Sequence, residues 1–211
     1  MKLLLSLWIL GALLQPVAYG QDYWKHTVQV EAGVAQPKRE LKGLFDRSFL
    51  VGAFYGYRFW EFLQADAGFE TAFGAAGVRD FLPTAFGDLR IRDYQHFLPF
   101  GGRAILPLAN ERIHIYGGGG GAYIRYTERV RQPFADSGFR IDCSVCSSRD
   151  GFGYYAVVGG SVALNSGRNF RLGVAGRMYR GETDGDPLGS APPRRTDDQW
   201  SNITATLSFS F

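Results

Sequence analysis

The 211-residue sequence predicts an all-β fold: an antiparallel, up-and-down transmembrane β-barrel of about eight strands. Three observations predict it. Beyond residue 20, apolar and polar side chains alternate at period two almost everywhere and recur at helical spacing almost nowhere. The connections between the alternating segments switch regularly between long and short. The chain also opens on a segment built for export.

In that segment Lys2 supplies a positive start, residues 3–14 an apolar run, and Pro16 a break before the small residues Ala18 and Gly20. Residues 1–20 therefore read as a signal peptide cleaved after Gly20, leaving a barrel domain over residues 21–211. An uncleaved membrane helix fits less well, because the apolar run falls short of the roughly 20 residues that span a bilayer. Past residue 20 no apolar run is long enough for a helical span. Composition agrees with a folded chain, since 45% apolar and 15% aromatic content is too rich for disorder. The 23 basic residues, Lys2 among them, nearly balance 20 acidic ones, which gives no general pull toward nucleic acid.

The first alternating segment sets Val28, Val30, Ala32 and Val34 against Gln29, Glu31, Gly33 and Ala35, before Pro37 breaks the pattern. In the second, Phe49, Val51, Ala53, Tyr55, Tyr57 and Phe59 oppose Gly52, Gly56 and Arg58. A short turn at Trp60 and Glu61 leads to the third, where Leu63, Ala65, Ala67, Phe69, Thr71 and Phe73 oppose Gln64, Asp66, Gly68 and Glu70. The fourth places His96, Leu98, Phe100, Gly102, Ala104 and Leu106 opposite Phe97, Gly101, Arg103 and Ile105. After a turn at residues 107–112, the fifth alternates His114, Tyr116, Ala122, Ile124 and Tyr126 with Ile115, Tyr123 and Arg125. Its glycine run, residues 117–121, carries little facing information.

The sixth segment sets Phe152, Tyr154, Ala156, Val158, Val162 and Leu164 on one face, and Asn165, Ser166, Gly167 and Arg168 make the next turn. In the seventh, Leu172, Val174 and Met178 oppose Arg171, Arg177 and Tyr179. The eighth pairs Ile203, Ala205, Leu207, Phe209 and Phe211 against Asn202, Thr204, Thr206, Ser208 and Ser210. Long connections at about 37–48, 75–93, 127–151 and 181–199 then share one end and the short turns the other. That rhythm suits an outer-membrane barrel, in which closure leaves no unpaired strand edge in lipid. A soluble eight-stranded barrel is the alternative, and it would turn the apolar face inward. The export signal, the terminal strand and aromatics near strand ends (Tyr55, Tyr57, Phe59, Tyr126 and Tyr154) favour lipid outside.

The final strand, residues 203–211, with alternating apolar residues and Phe209 and Phe211 at its close, resembles the signal read by the outer-membrane barrel assembly machinery. With the strand and loop rhythm, residues 21–211 resemble the small OmpA/OmpX/OmpW-type barrels, an architectural likeness without a subfamily motif. The resemblance implies residence in the bacterial outer membrane. The peptidoglycan-binding domain of larger members is not expected after Phe211.

If the polar face points inward, the lumen holds Glu31, Asp66 and Glu70 with Arg58, Arg103, Arg125, Arg171 and Arg177. Buried charges must be matched, and Arg forks onto carboxylates, so Asp66 and Glu70 are expected within an arginine cage. Such a network either fills the lumen or gates a narrow ion path, and a small barrel is usually filled. No cofactor or metal is expected and no enzyme activity: none of His26, His96 and His114 has a Ser two residues away, and His96 and His114 fall on the lipid-assigned face. The only cysteines, Cys143 and Cys146, sit in the longest outer connection. Export favours a local disulfide there over a redox CxxC or a zinc site, for which nearby ligands are lacking.

The outer connections also carry Lys38, Arg39, Lys42, Arg47, Arg79, Arg90, Arg92, Arg129, Arg131, Arg149, Arg194 and Arg195. This rim suits lipopolysaccharide phosphates, though solvated loop charge would look the same. Pro187, Pro192 and Pro193 mark an extended last connection. The functional classes are a structural or surface-binding barrel, a narrow channel for ions or small solutes and, trailing both, a lipid-modifying enzyme.

Overall fold

The long strands among the described residues bury one face and expose the other, and around the middle of the barrel the exposed face is apolar. The computed structural model describes residues 23–43, 45–74, 81–84, 87–130, 147–186 and 195–211. The strands are β1 (His26–Arg39), β2 (Ser48–Trp60), β3 (Leu63–Gly74), β4 (Phe81–Thr84), β5 (Gly87–Leu108), β6 (Ile113–Val130), β7 (Ser148–Ala163), β8 (Phe170–Gly185) and β9 (Thr196–Ser210), with a 3-10 turn at Glu40–Gly43 after β1. All pairings are antiparallel between chain neighbours, except that β1 also pairs with β9 and β3 pairs with β5. Those two pairings close eight strands into a ring and leave β4 as a short addition to the outer end of β5.

The register fixes the barrel's shape. Stepping from strand to strand through directly opposed residues, the path runs Thr27, Gly56, Asp66, Gly101, Gly120, Tyr155, Tyr179 and Trp200, and re-enters β1 at Pro37. The stagger between Thr27 and Pro37 is ten residues around eight strands. With a rise of about 3.3 Å per residue and strands about 4.8 Å apart, that stagger sets a tilt of about 40° and a lumen only wide enough for side chains. Wrapping this tightly brings backbones close where β5 meets β6. A Cβ on Gly120 would lie 2.2 Å from the Phe100 carbonyl oxygen, and one on Gly101 would lie 2.3 Å from that of Gly119. The glycine run of β6 therefore permits curvature that side chains would block.

The outward face is a continuous apolar belt. Phe152 is 72% exposed, Ile203 70%, and Val158 and Val174 63% each, with apolar exposed residues on all eight barrel strands. Aromatic residues gather toward the short-turn end, among them Trp24, Phe59, Trp60, Phe62 and Phe211. A soluble barrel would show the reverse polarity, so this belt faces lipid. Val174→Lys, near the middle of the belt on β8, is expected to destabilise the barrel by about 2 kcal/mol in a bilayer. Urea unfolding in lipid vesicles measures this, and an unchanged midpoint would count against lipid contact at that position.

The structure changes three sequence-based expectations. Strands run further outward than the alternation suggests: the expected connection at 75–93 contains a hairpin in which β4 pairs with the start of β5, while β6 reaches Val130 and β8 reaches Gly185. Above the belt the outward face meets water and the inward face buries polar residues such as Glu128, Arg149 and Thr183, so the polarity pattern fades although the backbone ladder continues. The fifth segment is also inverted. Tyr116, Ala122, Ile124 and Tyr126 are buried inside, whereas Ile115 and Arg125 are exposed. Arg125 therefore leaves the interior network, and Tyr126 is no girdle residue. Third, His114 turns into the lumen, where it lines a cavity, while His96 stays outward beside Phe69 and Tyr94. Both faces of β6 carry apolar residues, and the intervening glycines leave its facing to the register with β5. The expected signal peptide, the Cys143 and Cys146 pair, and Pro187, Pro192 and Pro193 lie outside the described residues.

Candidate functional site

The lumen is filled in layers, each assembled from strands far apart in the chain. In the middle layer Arg177 on β8 donates through Nη1 to Glu31 Oε1 on β1 at 2.8 Å and also to Glu70 Oε1 on β3. The Tyr179 hydroxyl donates to Glu70 Oε2 at 2.6 Å, Asn202 Nδ2 to the same oxygen at 3.1 Å, and Gln29 Nε2 to Glu31 Oε2 at 3.0 Å. The guanidinium lies 4.2 Å over the Phe54 ring. Two carboxylates thus share one arginine, and neutral donors complete their shells.

Toward the short-turn end, Arg103 Nε donates to Asp66 Oδ2 at 2.5 Å and Gln64 Nε2 to Asp66 Oδ1 at 2.6 Å. Arg103 also lies 4.7 Å over Tyr116. Below it, Arg58 Nε donates to the Glu61 carbonyl at 2.8 Å and stands 3.7 Å from the Glu111 carboxylate. Arg171 Nη1 donates to the Glu111 carbonyl at 3.0 Å. That bond clasps a turn in which Ala109, Asn110 and Glu111 take positive φ of 51°, 54° and 61°, a conformation that persists only when its surroundings hold it.

Toward the other end the filling becomes aromatic. Phe97 stacks on Tyr179 with centroids 4.5 Å apart and meets Trp200 edge-on at 5.9 Å. Trp200 Nε1 donates to the Tyr126 hydroxyl at 2.8 Å. Phe45, from the connection between β1 and β2, packs on Tyr126 at 5.7 Å and on Trp200 at 5.9 Å. Leu41 is buried in the same core, so this connection folds over the lumen. Close by, Arg149 donates to Thr183 Oγ1 at 3.1 Å and to Thr196 Oγ1 at 2.9 Å, and both threonines donate to Asp198, at 2.5 and 2.6 Å.

Glu31, Arg58, Asp66, Glu70, Arg103, Arg171 and Arg177 therefore all lie inside, in three layers rather than in one arginine cage. Sequence reasoning missed Tyr179 and Asn202 as partners of Glu70, and the aromatic layer altogether. Parity could have found Trp200 and Asp198, which share the inward face of β9 with Asn202. Nothing in the sequence pattern marks Phe45, which lies in a connection. Arg149, expected on the outer rim, is 3% exposed inside, because β7 begins at Ser148.

No protein-family model and no curated protein matches the chain. Solved structures do. Neisserial surface protein A matches at 14% identity over 88% of this chain and 97% of its own, with a TM-score of 0.54. Ail, the attachment invasion locus protein of Yersinia pestis, matches at 12% identity over 89% and 99%, with a TM-score of 0.53. OprG of Pseudomonas aeruginosa matches at 14% identity over 90% and 98%, with a TM-score of 0.50. The chain has the fold of the small outer-membrane β-barrels. Its apolar belt suits a membrane-spanning barrel of that fold, with short turns at one end and long connections at the other.

At the outer rim of the barrel, Arg39 and Arg180 share the single carboxylate of Asp197 at 2.9 and 3.2 Å, and Arg195 pairs with Glu182. Lys42 and Arg47 are exposed. Arg79, Arg131 and Arg194, and the side chains of Arg90, Arg92 and Arg129, lie outside the described residues. At the seam between β1 and β9 on the short-turn end, Phe209 and Phe211 face outward with rings 6.1 Å apart, and Phe211 exchanges two backbone hydrogen bonds with His26. Their reading as an assembly signal rests on the sequence resemblance alone.

Proposed function

We propose that this barrel is a closed scaffold that works through its outer surface and does not conduct. The observation that carries this reading is the blocked lumen: Phe45, Phe97, Tyr126, Tyr179 and Trp200 close the outer half, and Arg177 ties β8 to β1 and β3 below them. A narrow channel would need both layers displaced. Surface binding then falls to the outer rim, where two guanidiniums around one carboxylate leave positive charge for the phosphates of lipopolysaccharide. The reading leaves catalysis out. His26 stacks on Phe211 at 5.4 Å and His96 on Phe69 at 5.6 Å, as outward aromatics do.

Reconstitution tests both parts. Barrels in planar bilayers are expected to show no conductance steps, and purified barrels mixed with lipopolysaccharide are expected to retain it through gel filtration. Stable conductance from the wild-type chain would replace the scaffold reading with the channel. Failure to retain lipopolysaccharide would remove that partner and leave the closed scaffold standing.

A further inference from the structure

The short-turn end of the lumen contains a polar cavity of about 40 Å³, room for roughly three water molecules. The charged groups of its lining are mostly cationic. Arg171 is 4% exposed, and its guanidinium donates only to neutral oxygens: Ser161 Oγ at 3.2 Å and the carbonyls of Glu111, Arg168 and Arg112 at 3.0, 3.2 and 3.3 Å. Arg58 is 5% exposed, and of the two carboxylates that act on it Glu111 stands off at 3.7 Å and Glu61 lies outside the cavity lining. Glu111 is the one carboxylate among the lining residues, which also include Arg103 and Arg168. Arg103 is committed to Asp66. The lining thus carries a surplus of positive charge in a confined space.

Two further polar groups are left over. His114 Nε2 and the Tyr116 hydroxyl are buried without a protein hydrogen-bond partner, and both side chains line this cavity. Tyr116 is 6% exposed. Buried polar groups are nearly always satisfied, and a surplus of buried cations calls for a counter-charge. Water could satisfy the two neutral groups but could not balance the charge. We propose that this cavity is a binding site for a small inorganic anion, of chloride to phosphate size, held between Arg58 and Arg171 with His114 and Tyr116 donating to it. The imidazole then carries its proton on Nε2. The site lies inside the barrel, apart from the outer rim, and is independent of what the outer surface binds.

Trp24 offers a reporter. It lines the cavity, and its Nε1 donates to the Gly167 carbonyl of the turn between β7 and β8 at 3.3 Å, at the short-turn end of the barrel. The barrel purified from expression membranes and labelled with 5-fluorotryptophan would be titrated with phosphate, and separately with chloride. A bulky organic sulfonate holds the ionic strength constant. The Trp24 fluorine resonance is expected to shift saturably with at least one of the two anions, while those of Trp60 and Trp200 stay in place. His114→Phe with Tyr116→Phe removes the two unpartnered donors and leaves the arginine clasp on the turns intact. That double variant is expected to weaken the apparent affinity at least tenfold while keeping the heat-modifiable mobility of a closed barrel. A Trp24 resonance unmoved by either anion would overturn the proposal and leave a water-filled cavity. So would a double variant that binds as the wild type does, since the response would then come from elsewhere on the surface.

Discussion

Arg177→Met is expected to destabilise the barrel by about 3 to 5 kcal/mol, the range for removing one partner from a buried ion pair. The effect is large because the substitution strands charges of one sign. Glu31 and Glu70 are 5% and 0% exposed, and Arg177 is the cation bonded to both. Tyr179, Asn202 and Gln29 would still donate to the two carboxylates, but neutral donors cannot balance two negative charges in the same layer. Urea unfolding of the barrel in lipid vesicles measures the loss. Adding Glu31→Gln and Glu70→Gln to Arg177→Met should restore most of it, because a neutral layer no longer carries stranded charge. If the triple variant were as unstable as Arg177→Met alone, packing rather than charge would explain the loss.

Trp200→Ala is expected to cost about 3 to 5 kcal/mol, as truncation of a large aromatic in a packed core does. Trp200 is fully buried, meets Phe97, Phe45 and Tyr126, and donates its indole N–H to the Tyr126 hydroxyl. Its removal leaves a cavity in the outer half of the lumen and an unpaired phenol. The same unfolding assay reads the stability. Trp200→Phe keeps most of the ring volume and gives up the hydrogen bond, so it should fall between wild type and alanine. An alanine variant within about 1 kcal/mol of wild type would mean that the connection carrying Phe45 collapses into the space. Neither variant is expected to conduct by itself, because each leaves the other layer in place.

Polarity alternation is a local property, and it was legible wherever one face met lipid. Val28, Val30 and Val34 on β1 and Ile203, Leu207 and Phe209 on β9 announce their outward direction two residues at a time. The inward carboxylates and arginines follow by parity, which is why seven of the eight interior charges expected from sequence lie inside. The exception, Arg125, follows a glycine run that erases parity. Its outward direction comes from the β5 register, which pairs Gly118 with Arg103 and Ile124 with the buried Phe97. The aromatic filling was invisible for a different reason. Polar-in, apolar-out is the rule only where the lumen is polar, and its outer half is closed by side chains that a lipid-facing strand would also carry.

By itself, then, the sequence determined that the chain forms a closed antiparallel barrel with an apolar outside, short turns at one end and long connections at the other. These follow from period-two patterning and turn chemistry, each decided within a few residues. Only the tertiary structure decided which inward side chains meet. The ten-residue stagger brings Glu31, Glu70 and Arg177 to one level and Asp66 and Arg103 to another, and it turns Phe45, from a connection with no periodicity, onto Trp200. Contacts across a lumen depend on shear summed around the whole ring, a quantity that no single strand contains.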